Sequence, residues 1–202
     1  MNPKVALVDS GGANIGSLRY ALERVGADAR LTADPATVRA ADRVILPGVG
    51  AAGEGMRRLG DRDLVDVLRE LEQPVLGVCL GMQLLFEGTD EDGGVECLGL
   101  LPGRVVAIPG TRSERVPHMG WNTLVPLRDD PLTEGIAPGA RAYFVHGYGV
   151  PVTEDTLMYT EHAGRWSAVV RRGSRWGAQF HPERSAGVGA RLLRNFVTGE
   201  GR

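Results

Sequence analysis

The chain has 202 residues, 43% of them hydrophobic and 24% charged, with a formal net charge of −2. These values describe an ordinary soluble globular protein long enough for a full core, and the near-neutral charge gives no sign of a nucleic-acid or membrane surface. No apolar run reaches membrane-spanning length, no signal peptide is expected before the first strand, and two cysteines without metal-ligand spacing suit a reducing, cytoplasmic setting.

Residues 5–9 read as a buried parallel strand ending in Asp9. A loop follows, and Asn14 can cap the next helix, where Leu18, Ala21, Leu22 and Val25 recur at helical spacing until Gly26. Residues 29–32 form a second strand. Asp34 caps a short helix with Pro35 in its first turn, and residues 43–46 form a third strand. Beyond a glycine-rich loop, a helix around Leu64, Val67, Leu68 and Leu71 leads to the apolar run 74–78 and then to the helix formers of 80–86. Four alternations of strand and helix predict an α/β fold, a doubly wound and mostly parallel sheet with helices on both faces. Catalytic groups are expected at the carboxyl ends of its strands.

After Gly88 the residues read mostly as strands, at 104–108, 121–125, 142–148, 157–161, 166–171 and 176–180. Additional antiparallel pairing is therefore expected in the C-terminal half, with a hairpin turn at Gly173 and Ser174. Val188, Leu192, Leu193 and Phe196 mark a last helix. Without a repeat or linker, residues 1–202 are expected to form one domain.

Cys79 joins the run 74–78 to the helix that follows, with Gly77 and Gly81 two residues to either side. That is the nucleophile-elbow pattern with cysteine as the nucleophile. A side chain held on a sharp strand-to-helix turn needs neighbours without Cβ atoms, because the two backbones pass close together. A thiol at a helix N-terminus also meets unpaired N–H groups and the positive end of the dipole, and both favour the thiolate. The N–H of Leu80 is placed to meet an oxyanion. Cys97 lacks the paired glycines and reads as a core thiol.

The chain holds four histidines, and His181 stands out for its neighbours. Pro182 biases it towards an extended conformation, and Glu183, two residues on, can reach its ring on the same side. Nucleophile, base and orienting acid then form a triad. Gly48, Gly50 and Gly53 match the dinucleotide fingerprint G-x-G-x-x-G. The same loop suits the second half of an oxyanion hole, with an N–H from residues 48–50. Both readings stand on the glycines alone.

Three segments, Gly-Val-Cys-Leu-Gly-Met-Gln at 77–83, Pro-Gly-Val-Gly at 47–50 and Phe-His-Pro-Glu at 180–183, resemble the class I glutamine amidotransferases. Residues 116–122 (Val-Pro-His-Met-Gly-Trp-Asn) and 142–146 (Ala-Tyr-Phe-Val-His) are similar to the glutaminase subunits of imidazole glycerol phosphate synthases within that family. The resemblance implies glutamine hydrolysis, with Cys79, His181 and Glu183 as the catalytic triad. It implies Val49, Gly50 and Leu80 at the oxyanion hole, and Gly48, Gln83, Glu91, Gly147 and Tyr148 at the substrate. It further implies a cyclase partner, a (β/α)8 barrel joined as a heterodimer through Asn14, Met119, Gly120, Trp121, Asn122 and Tyr143. No cofactor, metal, nucleic acid or membrane is implied. The chain departs from the family pattern at Ser10, where tyrosine is usual, at Gly16 for arginine and at Gly147 for serine. A ligand-binding regulator with a vestigial triad is a different reading of the same sheet, and the intact Cys79, His181 and Glu183 argue against it.

Overall fold

The computed structural model describes residues 3–11 and 15–199. Asn14, expected as a helix cap and interface residue, lies outside the described residues.

The first half alternates as its periodicity predicts. β1 (Val5–Val8), α1 (Ile15–Arg24), β2 (Ala29–Thr32), α2 (Pro35–Arg39) and β3 (Arg43–Leu46) follow in order. The Asp34 carboxylate accepts from the N–H groups of Ala36 and Thr37, and Pro35 sits in the first turn, as the sequence implies. Next come α3 (Ala52–Gly60), α4 (Leu64–Glu70), β4 (Val75–Val78) and α5 (Leu80–Leu84). Two helices thus replace the single one expected between the third strand and the Cys79 strand. Asp63, with φ of 54°, breaks the chain direction between them.

The expected helix over 80–86 stops at Leu84, and β5 (Phe86–Thr89) leaves as a strand. Phe86 is fully buried and pairs in parallel with Leu101 of β7 (Leu101–Ala107), with β6 (Val95–Glu96) along the other edge of β5. Burial of the phenyl ring in a second sheet outweighs the weak helical preference of Leu-Leu-Phe.

The remaining strands are β8 (His118–Thr123), β9 (Val125–Pro126), β10 (Arg141–His146), β11 (Tyr148–Gly149), β12 (Thr156–Glu161), β13 (Arg165–Arg172) and β14 (Arg175–Ala178). The chain closes on α6 (Ala186–Thr198). The main sheet has eight strands in the order β2-β1-β3-β4-β14-β13-β12-β9. Pairing is parallel from β2 to β14 and antiparallel from β14 to β9. β11-β7-β5-β6 form a smaller sheet, and β8 and β10 an antiparallel ribbon.

Alternation along β1 shows how the main sheet is buried. Val5 and Leu7 join a core with Leu18 and Leu22 of α1 and Leu192, Leu193 and Phe196 of α6. Ala6 and Val8 face the opposite core, with Val38, Leu59, Leu64, Leu68 and Met82 of α2 to α5. Helices on both faces explain why the strand has no polar side. Among the described residues no helix is long and apolar enough to cross a membrane.

Candidate active site

β4 and β14 are parallel neighbours in register, with Val78 opposite Ala178. The chain leaves β4 into Cys79 and leaves β14 towards His181, so both side chains rise from the carboxyl edge of the sheet's centre. Cys79 has φ of 54° and ψ of −114°, a backbone geometry unusual for a residue with a Cβ. The turn is tight on both sides. A Cβ on Gly77 would lie 2.5 Å from the Gly81 carbonyl oxygen, and one on Gly81 would lie 1.8 Å from that of Leu46. The elbow glycines are therefore a steric requirement, as their spacing implies.

His181 adopts φ of −92° and ψ of 102°, the extended form favoured before proline. The chain then turns at once into a 3-10 helix, Pro182–Arg184. Glu183 reaches the ring through this turn and not along an extended strand, as the spacing had suggested. Nδ1 of His181 lies 2.9 Å from Glu183 Oε1, with both side chains buried. A carboxylate accepts, so Nδ1 carries the proton and Nε2 is left for the thiol. Burial alone would discharge the ring. Hydrogen bonds and charge from Cys79 and Glu183 outweigh it and push the His181 pKa up to about 10. The ring thus stays cationic through neutral pH and loses its proton only as pH rises through about 10.

Val49, Gly50, Cys79, Leu80, Gln83, Glu91, Val145, His146, Gly147, Tyr148 and His181 line one cavity of about 180 Å³. The structure therefore gathers nearly all the predicted substrate and oxyanion residues around the thiol. Gly48 is an exception, because it lies beneath: a Cβ there would sit 2.9 Å from the Gly81 nitrogen and from Leu80 Cβ. Gly53 belongs to the first turn of α3, and Val49 and Gly50 of the loop before it line the cavity beside Cys79. Ser10, at a departure from the family pattern, is buried and donates its hydroxyl to the Pro47 carbonyl at 3.3 Å, at the start of the 47–50 loop.

Gln83 is buried, and Nε2 donates to the Tyr148 carbonyl and to Gln179 Oε1, both at 2.9 Å. With both amide hydrogens spent, its carbonyl oxygen is the atom that can accept from a ligand. Glu91 Oε2 accepts from the Ala52 N–H at 2.7 Å, at the start of α3. Asp90 pairs instead with Arg104, which favours Glu91 of the two acidic neighbours.

Sequence reasoning missed Gln179. It is fully buried and donates to Cys79 Sγ across 3.9 Å. A polar residue two positions before His181, in an otherwise apolar strand, was the available signal.

On the ribbon, Met119 and Trp121 are 63% and 45% exposed, so Trp121 is no core residue. Its indole meets the Tyr143 ring edge-on, with centroids 6.0 Å apart. Asn122 does not share that face. Neighbouring residues of a strand point oppositely, and its amide nitrogen donates to the Glu161 carbonyl and to His118 Nε2.

The family model described as glutamine amidotransferase class-I matches residues 6–199. The chain is 61% identical over 193 residues to an imidazole glycerol phosphate synthase subunit HisH of Xanthomonas axonopodis pv. citri (strain 306), covering 96% of each protein. A subunit HisH of Xylella fastidiosa (strain Temecula1) is 56% identical over 194 residues, again covering 96% of each. A solved glutamine amidotransferase superposes with a TM-score of 0.75 at 20% identity, covering 98% of this chain and 99% of that one. PurLQS from Thermotoga maritima gives 0.72, also at 20% identity, covering 98% and 99%. With its elbow cysteine, paired histidine and glutamate, and a sequence matched almost end to end, the chain belongs to the class-I glutamine amidotransferase family.

Proposed function

We propose that the chain is a glutaminase that supplies ammonia to the cyclase subunit of an imidazole glycerol phosphate synthase, within histidine biosynthesis. The products of the assembly would be imidazole glycerol phosphate and the aminoimidazole carboxamide ribotide by-product. The observation that carries this reading is the buried Cys79–His181–Glu183 line opening on a cavity of about 180 Å³.

In this reading the Cys79 thiolate attacks the side-chain amide carbon of glutamine. The carbonyl oxygen becomes an oxyanion facing the N–H of Leu80 and the Val49–Gly50 loop. Each such donor contributes about 3–4 kcal/mol to transition-state stabilisation. His181 gives its Nε2 proton to the departing amine and ammonia leaves. The neutral ring then takes a proton from water as the oxygen attacks the thioester, glutamate departs and the ion pair re-forms. The Gln83 carbonyl oxygen and the second oxygen of Glu91 suit the substrate's ammonium, and the backbone of Gly147 and Tyr148 forms the facing wall. Residues 1–202 act as one domain in this scheme.

Ammonia freed into neutral water is protonated and no longer nucleophilic, so hydrolysis has to be coupled to its consumer. The exposed Met119–Trp121–Tyr143 face fits that role, because aromatic anchors dominate many interfaces. Glutamate release should be slow for the chain alone and rise on adding the cyclase subunit with its substrate. Trp121→Ala should weaken binding of that subunit by about 2 kcal/mol and leave the chain folded. Full activity of the isolated chain would remove the coupling, and no glutamate release in the mixture would remove the glutaminase reading itself.

A further inference from the structure

Three of the four histidines lie outside the triad, and two of them form a buried chain that starts at His146 in the pocket lining and runs away from it to His118. The Tyr148 carbonyl can only accept, and His146 Nδ1 lies 2.8 Å from it, so Nδ1 carries a proton. His146 Nε2 is 3.0 Å from His118 Nδ1, and His118 Nε2 is 3.1 Å from the amide nitrogen of Asn122. An amide nitrogen donates, so His118 Nε2 is an acceptor. His118 Nδ1 then holds its ring's only proton and gives it to His146 Nε2. One arrangement of protons satisfies the whole chain, and both rings are neutral in it. Burial supports that neutrality, holding His118 at about 3 and His146 at about 4. The His118 ring cannot easily turn, because it stacks on Phe144 at 4.8 Å and on His162 at 4.3 Å.

We propose that His146 is a positioning residue for glutamine: it holds the Tyr148 carbonyl, and with it the Gly147–Tyr148 wall of the pocket, and through His118 and Asn122 it ties that wall to the β8–β10 ribbon. The inference rests on the glutaminase reading. Gln83 grips the same carbonyl from the pocket side, so the wall is fixed between two donors, one on α5 and one on β10. Asn122 anchors the far end, donating also to the Glu161 carbonyl at 2.8 Å. Trp121 and Met119 flank Asn122 and His118 in the same strand, so displacement of the exposed ribbon face moves the histidine chain, and the wall moves with it.

The test is protection of Cys79 by glutamine against iodoacetamide, which needs no partner. The glutamine concentration giving half-protection is compared within each variant, so changes in thiol reactivity cancel. His146→Asn keeps a donor at the Nδ1 position but loses Nε2 and with it the link to His118, so it should need about three- to fivefold more glutamine than wild type. His146→Leu removes it and should need at least tenfold more glutamine, equivalent to about 1.4 kcal/mol. His118→Phe keeps the stack and cuts the same link, so it should show a similar loss of about three- to fivefold, a readout that stands even if His146→Leu does not fold. Protection in His118→Phe equal to wild type, or equal losses in His146→Asn and His146→Leu, would overturn the proposal. A wild-type chain that glutamine does not protect would instead point to failure of the glutaminase reading.

Discussion

Cys79→Ala should lower glutamate release by on the order of 10⁵- to 10⁶-fold, because a triad fails as a unit once its nucleophile is gone. The size of the effect follows from the geometry. No other thiol reaches the pocket, and the second cysteine is chemically quiet. Cys97 is buried, and that burial pushes its pKa up to about 11. Cys97→Ser should therefore retain activity, and a glutamine-like electrophile should label Cys79 alone. His181→Ala should be nearly as damaging as Cys79→Ala, since it removes both the proton for the leaving amine and the partner of the thiolate. Glu183→Gln should retain partial activity, because the ring stays in place while its preferred tautomer is lost. Adding Glu183→Gln to His181→Ala should cost little more. Steady-state glutamate release with the cyclase subunit present measures all of these. An active Cys79→Ala protein would defeat the mechanism.

Gly81→Ala should be among the most destabilising single substitutions in the chain, by about 4 kcal/mol or more. The added methyl would sit 1.8 Å from the Leu46 carbonyl oxygen, which belongs to a central strand and cannot move aside. A flexible side chain could yield to such a clash, but a backbone oxygen in a parallel ladder cannot. Gly147→Ser offers the contrast. Its Cβ would meet Val116 Cγ1 at 3.6 Å, an ordinary contact, so a serine at this position should be accepted. Urea unfolding of the two variants separates the cases. If Gly81→Ala unfolds at the wild-type midpoint, the close packing of elbow and strand is not real.

The elbow and the His–Glu pair were legible because their signals are local. Two glycines flanking a cysteine state a steric need, and a proline after a histidine states a backbone preference. The early strands and the Asp34–Pro35 helix start were legible for the same reason. The rest depends on contacts that a pattern in the chain does not express. The helix after Cys79 ends at Leu84 because Phe86 finds a partner strand 15 residues away. Gln179 serves the site through a residue 96 positions distant. The resemblance put Trp121 and Asn122 in one interface, and the pleat of β8 turns their side chains to opposite faces. Nothing in the sequence joins His118 to His146, which the ribbon pairs directly across two strands.

The placement of Cys79 and His181 on adjoining strands has a mechanical consequence. Strands in a sheet stand about 4.8 Å apart, a spacing set by backbone hydrogen bonding whatever the side chains are. The distance between nucleophile and base is therefore inherited from the stiffest part of the molecule, where opening requires cooperative loss of the whole sheet. The rim differs. The 47–50 loop, the Glu91 turn and the Gly147–Tyr148 segment lie outside the main sheet, held by bonds that involve Ser10, Glu91, Gln83 and His146, so their positions do not depend on its strand spacing. A molecule so divided can keep its reagents permanently loaded and still be controlled, with regulation acting on the mould around the substrate and leaving the blade untouched.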